Sequence, residues 1–300
     1  MKSKGDVDAK AARILDGAID LHCHSGPSMI PRKLDPVEAA RNGASIGLKA
    51  ILVKDHHLTC LREIYFIHRY ILGETGVQLF GGVPLNNSVG GLNPYAVDLG
   101  RKMGAKIVWM PTVSAKRHIV HHRRGKFPET SQKMLAEKSI VVLTRGDQLK
   151  EEVLSILEQI KDSDLILSTG HLSPHEIKIL LIKARELGIK RMIVNHPTFI
   201  IEASDSEIKM FSEMGAYIEH SISMAFPESS FYSIDPKELL RLINLVGVEK
   251  TILGSDLGQE VNPLPVEGFR SIVKILLREG LNRNQIEFMV KKNPEFLLNL

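Results

Sequence analysis

Two histidines one residue apart, in Asp20-Leu21-His22-Cys23-His24, are the first groups in this chain whose types and spacing could hold a metal ion. If residues 19–24 form a strand, its period of two places His22 and His24 on one face and Cys23 on the other. Two imidazoles so placed make half a site. Zinc accepts ring nitrogens at about 2.0–2.1 Å when further ligands converge from elsewhere. By the same parity Asp20 lies with the histidines, one layer below, where it could orient a ligand. Further candidates recur along the chain as Lys54 with His56 and His57, then His171, His196, Glu219-His220 and Asp256.

Positioning these groups falls to a repeating alternation of apolar runs and amphipathic stretches. The apolar residues Ile14-Leu15 lead into the first strand. Asp35 then caps a helix with Pro36 in its first turn. A second strand, residues 47–53, ends in Lys54, and a helix over 59–72 follows. The third strand, 77–80, opens onto a glycine-rich loop at 81–91. A helix over 94–103 leads to the fourth strand, 105–110. Residues 111–132 then form a polar excursion carrying His118, His121, His122 and three arginines, long for a mere connector. Residues 140–143 read as a short extra strand. Regularity returns with a helix at 150–161, a strand at 165–171, and a helix capped by Ser173. Strands at 191–197, 216–220 and 251–256 alternate with helices at 204–214 and 235–246, and helices at 265–277 and 282–290 close the chain.

Eight strands with intervening helices point to an α/β fold, a (β/α)8 TIM barrel formed as one domain over residues 1–300, with a long loop after strand four. The candidate groups fall at the C-terminal ends of the strands, the rim where barrel enzymes place their chemistry. No G-x-G-x-x-G follows an early strand, which argues against a dinucleotide cofactor.

Composition narrows the partners. The 39 basic and 35 acidic residues are interspersed, so the net charge of +4 builds no basic tract with aromatics, and nucleic acid is not expected. The densest basic stretch, Lys116-Arg117-His118 and His122-Arg123-Arg124, is short and suits an anionic small molecule at least as well as a phosphate backbone. The start of the chain (Met1 to Asp6) is polar, and no run approaches the ~18 apolar residues of a membrane span, so a cytoplasmic protein without a membrane partner is expected. Cys23 and Cys60 are too few for a disulfide scaffold or a zinc ribbon.

The order His-x-His, a lone His, a second lone His and then Asp resembles the amidohydrolase superfamily of metal-dependent barrels. Asp20 to His24 is similar to the first-strand motif, Thr169-Gly170-His171 to the fifth-strand histidine, Asn195-His196-Pro197 to the sixth and Gly254-Ser255-Asp256 to the eighth-strand aspartate. The run His22 to Pro27 followed by Pro31-Arg32 looks more narrowly like an amidohydrolase-like group of unknown function. The resemblance implies a divalent ion, zinc first and one rather than two, held by His22, His24, His171, His196 and Asp256. Asp256 would also be the base toward a metal-bound water, whose pKa the ion lowers toward neutrality. One departure stands out. Two-metal members bridge their ions with a carboxylated lysine or a glutamate on strand four, and here that strand ends in Met110-Pro111-Thr112.

Lys54 could bind a substrate anion, act in catalysis or serve as a carbamylated ligand. Arg32 could clamp a carboxylate or phosphate through its fork of donors. His56, which shares Lys54's parity, His118 and His220 complete the expected substrate contacts, with His196 also counted as catalytic. The expected activity is metal-dependent hydrolysis of a C–N, ester or phosphoester bond in a small anionic substrate. The alternatives are a metal-dependent non-oxidative decarboxylase and a non-catalytic metal-binding barrel. A homo-oligomer is possible.

Overall fold

The structure, a computed structural model, describes residues 4–123 and 127–300. Residues 1–3 of the polar start and Arg124 of the basic stretch lie outside these. Nine short strands follow in chain order: β1 (Ile19–His24), β2 (Ala50–Lys54), β3 (Gln78–Phe80), β4 (Gly82–Pro84), β5 (Ile107–Trp109), β6 (Ile166–Ser168), β7 (Met192–Asn195), β8 (Tyr217–Glu219) and β9 (Thr251–Ile252). All pair in parallel with their sequence neighbours, save one break between β3 and β4. The architecture is a distorted (β/α)8 barrel whose third strand is split, β3 pairing with β2 and β4 with β5.

The split has a steric cause. A Cβ on Gly81 would stand 2.6 Å from Cys60 Sγ, and one on Gly82 would stand 2.1 Å from the Ile107 carbonyl oxygen. Only glycines let the chain cross this gap so close to its neighbours. The glycine-rich segment expected as a loop from residue 81 therefore starts as strand. Closure between the last and first strands comes from a parallel bridge of Cys23 to Leu257, with the His24 N–H donating to the Leu257 carbonyl at 2.9 Å.

Alternation sorts the side chains. Ile19, Leu21, Ala50, Leu52, Ile107, Trp109, Ile166, Ile193 and Ile252 fill the barrel interior, and Leu297 and Leu298 join them from the helix Asn293–Leu298. Their opposite-parity neighbours, such as Ile51, Val53, Val108, Leu167, Val194 and Ile218, pack outward in the larger cluster shared with the helices. The capping signals read from the sequence hold: Asp35 and Ser173 each close a capping box at the starts of Pro36–Ala44 and Pro174–Glu186.

Three local expectations change. A helix over Lys4–Leu15, for which the polar start gave no sign, packs on the helix Pro265–Arg278 and is tied to it by a Lys274–Asp8 pair at 2.7 Å. The excursion after β5 carries a helix, Lys116–His122. Residues 140–143 make isolated bridges in place of a strand, Ala115 with Ile140 and Leu143 with Leu149. Among the described residues no helix is long and apolar enough to cross a membrane.

Candidate metal centre

β1 does not keep its parity. Its pairing with β2 slips between Asp20 and Cys23, so Ile19 and Leu21 face the interior low in the barrel while His22 and His24 face it at the rim. Cys23 is turned into the outer cluster. Asp20 is thereby parted from the histidines it was expected to accompany. Its Oδ1 instead accepts the backbone N–H groups of His22 and Ser255, both at 2.9 Å, pinning the irregular end of β1 to the segment that carries Asp256.

His22, His24 and Asp256 come together so that one ligand atom from each lies within 4.8 Å of the others. The protons on the imidazoles decide what this cluster is. His22 Nδ1 meets Glu219 Oε1 at 2.6 Å, and His24 Nδ1 meets the Lys54 carbonyl oxygen at 3.2 Å. Both partners only accept, so a proton on each Nδ1 satisfies them, whereas the other tautomer of His24 donates Nε2–H to Asp256 Oδ1 at 3.0 Å. In the first arrangement both Nε2 lone pairs face one oxygen, Asp256 Oδ1, at 3.3 and 3.0 Å. Burial drives the pKa of His24 well below the usual imidazole value, which keeps the ring neutral. Three acceptors so close repel one another unless a cation stands among them, a place that Lys54 Nζ takes here at 2.9 Å from His22 Nε2 and that a divalent ion would take when bound. Two imidazole nitrogens and a carboxylate oxygen are a donor set that fits zinc or a similar divalent ion.

Lys54, at the end of β2, is 1% exposed, and its Nζ donates to His22 Nε2 at 2.9 Å. Burial lowers its pKa, against the pull of Asp256 and Glu219. His171 and His196 line the pocket beside the cluster, with ring centroids 5.1 Å apart, but neither belongs to the tight group of three. His196 Nδ1 is buried with no hydrogen-bond partner among the described residues. Burial pushes the pKa of His196 down to about 4 and that of His171 well below the ordinary value, so both rings are neutral near pH 7. His196 and Asp256 both adopt positive φ, +27° and +48°, a conformation that costs a non-glycine residue about 1–3 kcal/mol and clusters at functional sites.

Two expected substrate contacts are placed elsewhere. His118, buried on the helix Lys116–His122, does not line the pocket of Asp256; its Nδ1 lies 2.7 Å from His171 Nδ1, with the two rings stacked at 6°. It can hold His171 Nδ1–H and so leave His171 Nε2 for the pocket. His220 faces outward, toward the helix residues Glu238 and Leu242. Parity sends Tyr217 and Glu219 inward and Ile218 and His220 outward, so Glu219 is the residue that enters. His56 remains at the pocket wall, its Nδ1 held by Thr112 Oγ1 at 3.0 Å, and Arg32 also lines it.

Sequence reasoning chose His220 over its neighbour Glu219 and gave Asn195 no role of its own. Glu219 is completely buried, with Oε2 accepting from Asn195 Nδ2 at 2.9 Å and Oε1 also near Ser221 Oγ at 3.2 Å. An acid at the same height as a ligand histidine is the signal that could have found it, because ligand imidazoles usually give their second N–H to a carboxylate.

Comparison with known proteins follows this geometry. An amidohydrolase from Pseudomonas aeruginosa matches with a TM-score of 0.62 at 14% identity, covering 97% of this chain and 98% of that one. The probable dipeptidase PvdM from the same organism matches with a TM-score of 0.68 at 11% identity over 99% and 98%. The 2,6-dihydroxybenzoate decarboxylase from Rhizobium gives 0.55 at 10% identity over 95% and 99%. At these identities the likeness establishes the shared barrel fold. No curated protein matches. The model of a family described as "Family of unknown function (DUF6282)" matches residues 17–219, and the chain belongs to that family.

Proposed function

We propose that this DUF6282 member is a metal-dependent hydrolase in which His22, His24 and Asp256 hold one divalent ion, zinc by the character of the donors. The convergence of His22 Nε2 and His24 Nε2 on Asp256 Oδ1, with an acceptor standing at each Nδ1, carries this reading. A bound divalent ion would supply water of near-neutral pKa and polarise a carbonyl or phosphoryl oxygen. Asp256 keeps Oδ2 beside Ser223 Oγ, at 3.5 Å, where it can take up a proton. His196 Nδ1 can hold or hand over a proton on the substrate side. Lys54 and Arg32 bring positive charge to the same pocket, which favours a small anionic substrate.

A single ion is the simpler reading, because the end of β5 carries no bridging acid: Thr112 there is engaged by His56 and by Asn86 Nδ2 at 2.7 Å. That same feature favours a second reading, a non-oxidative decarboxylase, since the barrel is shared with a decarboxylase as well as with hydrolases.

Elemental analysis of protein purified without added metal, beside a His22→Ala/His24→Ala double variant, is the test. About one ion per chain, lost in the variant, is expected. No metal in wild type after incubation with zinc, manganese or iron would overturn the proposal. Release of CO2 without consumption of water, in a panel of esters, amides, phosphoesters and carboxylates, would select the decarboxylase. Full metal occupancy with no turnover of the panel would select a non-catalytic barrel.

A further inference from the structure

Arg32 reaches the pocket from the loop after β1, where its backbone pairs with that of Gln259. Its Nε and Nη2 are buried, and neither has a hydrogen-bond partner among the described residues. These two nitrogens form one edge of the guanidinium, and their parallel N–H bonds match the two oxygens of a carboxylate. The chain uses the same edge in this way elsewhere. Arg41 Nε and Nη2 hold the two oxygens of Glu74 at 2.7 and 3.1 Å, and Arg241 Nε and Nη2 hold those of Glu238 at 2.8 and 2.9 Å.

The acids near Arg32 do not fill this edge. Asp55 Oδ1 accepts the backbone N–H groups of His57 and Leu58 at 2.6 and 2.9 Å, and Asp256 Oδ1 faces the two imidazoles. The rest of the pocket is divided. Phe127, Phe199, Phe231, Ile30 and Met224 contribute an apolar wall, with Phe199 and Phe231 6.3 Å apart and Phe127 6.2 Å from His56. The space between these groups, open solvent at its mouth included, is about 460 Å³.

We propose, resting on the metal-centre reading, that the substrate is a small monocarboxylic acid with an aromatic or branched apolar body. Its carboxylate sits on Nε and Nη2 of Arg32, and its body lies along the phenylalanine wall. A phosphate ester fits less well. One guanidinium edge serves two oxygens and leaves the third oxygen of a phosphate without a place on it.

The test is calorimetric titration of the full chain, zinc-loaded and metal-free, with benzoate, benzamide and inorganic phosphate. Benzoate is expected to bind both forms, with benzamide and phosphate each weaker by about tenfold or more, since the orphaned donors need a charged two-oxygen partner. Arg32→Met should abolish benzoate binding and Arg32→Lys should weaken it, while both still bind zinc and still unfold cooperatively. Benzoate binding that survives in Arg32→Met, phosphate that binds wild type more tightly than benzoate, or no benzoate binding at millimolar concentration would each overturn the assignment. The zinc titration is read separately. Failure of wild type to bind zinc overturns the metal centre, and failure of benzoate alone overturns only the substrate class.

Discussion

Replacing Glu219 tests whether the centre depends on a buried carboxylate that touches no substrate. Glu219 takes His22 Nδ1–H on Oε1 at 2.6 Å and Asn195 Nδ2 on Oε2 at 2.9 Å, with no exposure to solvent. In Glu219→Gln the remaining carbonyl oxygen can still accept from His22, so the ring keeps its tautomer but loses the negative charge that makes Nε2 a stronger ligand. Removing such a partner costs about 10–100-fold in metal affinity, or about 1.4–2.7 kcal/mol, and the isosteric change belongs at the lower end. Glu219→Ala leaves both buried donors without acceptors. It should lie at the upper end for zinc and also destabilise the metal-free protein by about 3–5 kcal/mol. Zinc affinity is measured by competition with a chromophoric chelator, and stability by urea unfolding with chelator present. Zinc affinity within twofold of wild type in both variants would refute the reasoning, because His22 would then need no carboxylate to present Nε2.

Three further outcomes are expected. Gly258→Ala should lose about 3 kcal/mol or more of stability in urea unfolding, because Gly258 sits at φ +116° and a Cβ there would stand 1.7 Å from the His24 carbonyl oxygen; unchanged unfolding would contradict the closure seen after β9. Leu298→Ala should cost about 2–5 kcal/mol and shift the fluorescence of Trp109, which shares its cluster, whereas a silent variant would mean the C-terminal helix does not close the barrel floor. Burial raises the Cys60 thiol to about 12, so its thiolate fraction at pH 8 is about a thousandfold below that of a free cysteine. Native protein should not react with a thiol reagent at pH 8, reaction should speed up as pH rises toward 12, and denaturant should expose both cysteines; rapid labelling of native protein at pH 8 would contradict this packing.

Much of the architecture could be read from local pattern. Strand and helix order, the caps at Asp35 and Ser173, and the placing of polar groups at strand ends depend on residues close in the chain, whose periodicity and hydrogen bonding are local physics. The His22 and His24 pair was legible for the same reason, since two residues on one strand end share a face whatever surrounds them. Which partners they meet was not. The slip in β1 that separates Asp20 from His22 exists only because β1 must pair with β2 on one side and with the segment after β9 on the other. Glu219 and His220 are equal candidates in sequence, and only the register of β8 between β7 and β9 turns the carboxylate inward and the imidazole out. His118 and His171 are 53 positions apart and meet through the excursion after β5. The amino-acid sequence determined the kinds of ligand and the strand ends that carry them. The tertiary structure alone decided which partner faces each ring nitrogen, which acid meets His22 and which cation is left open, because those depend on distances between strands that no local pattern sets.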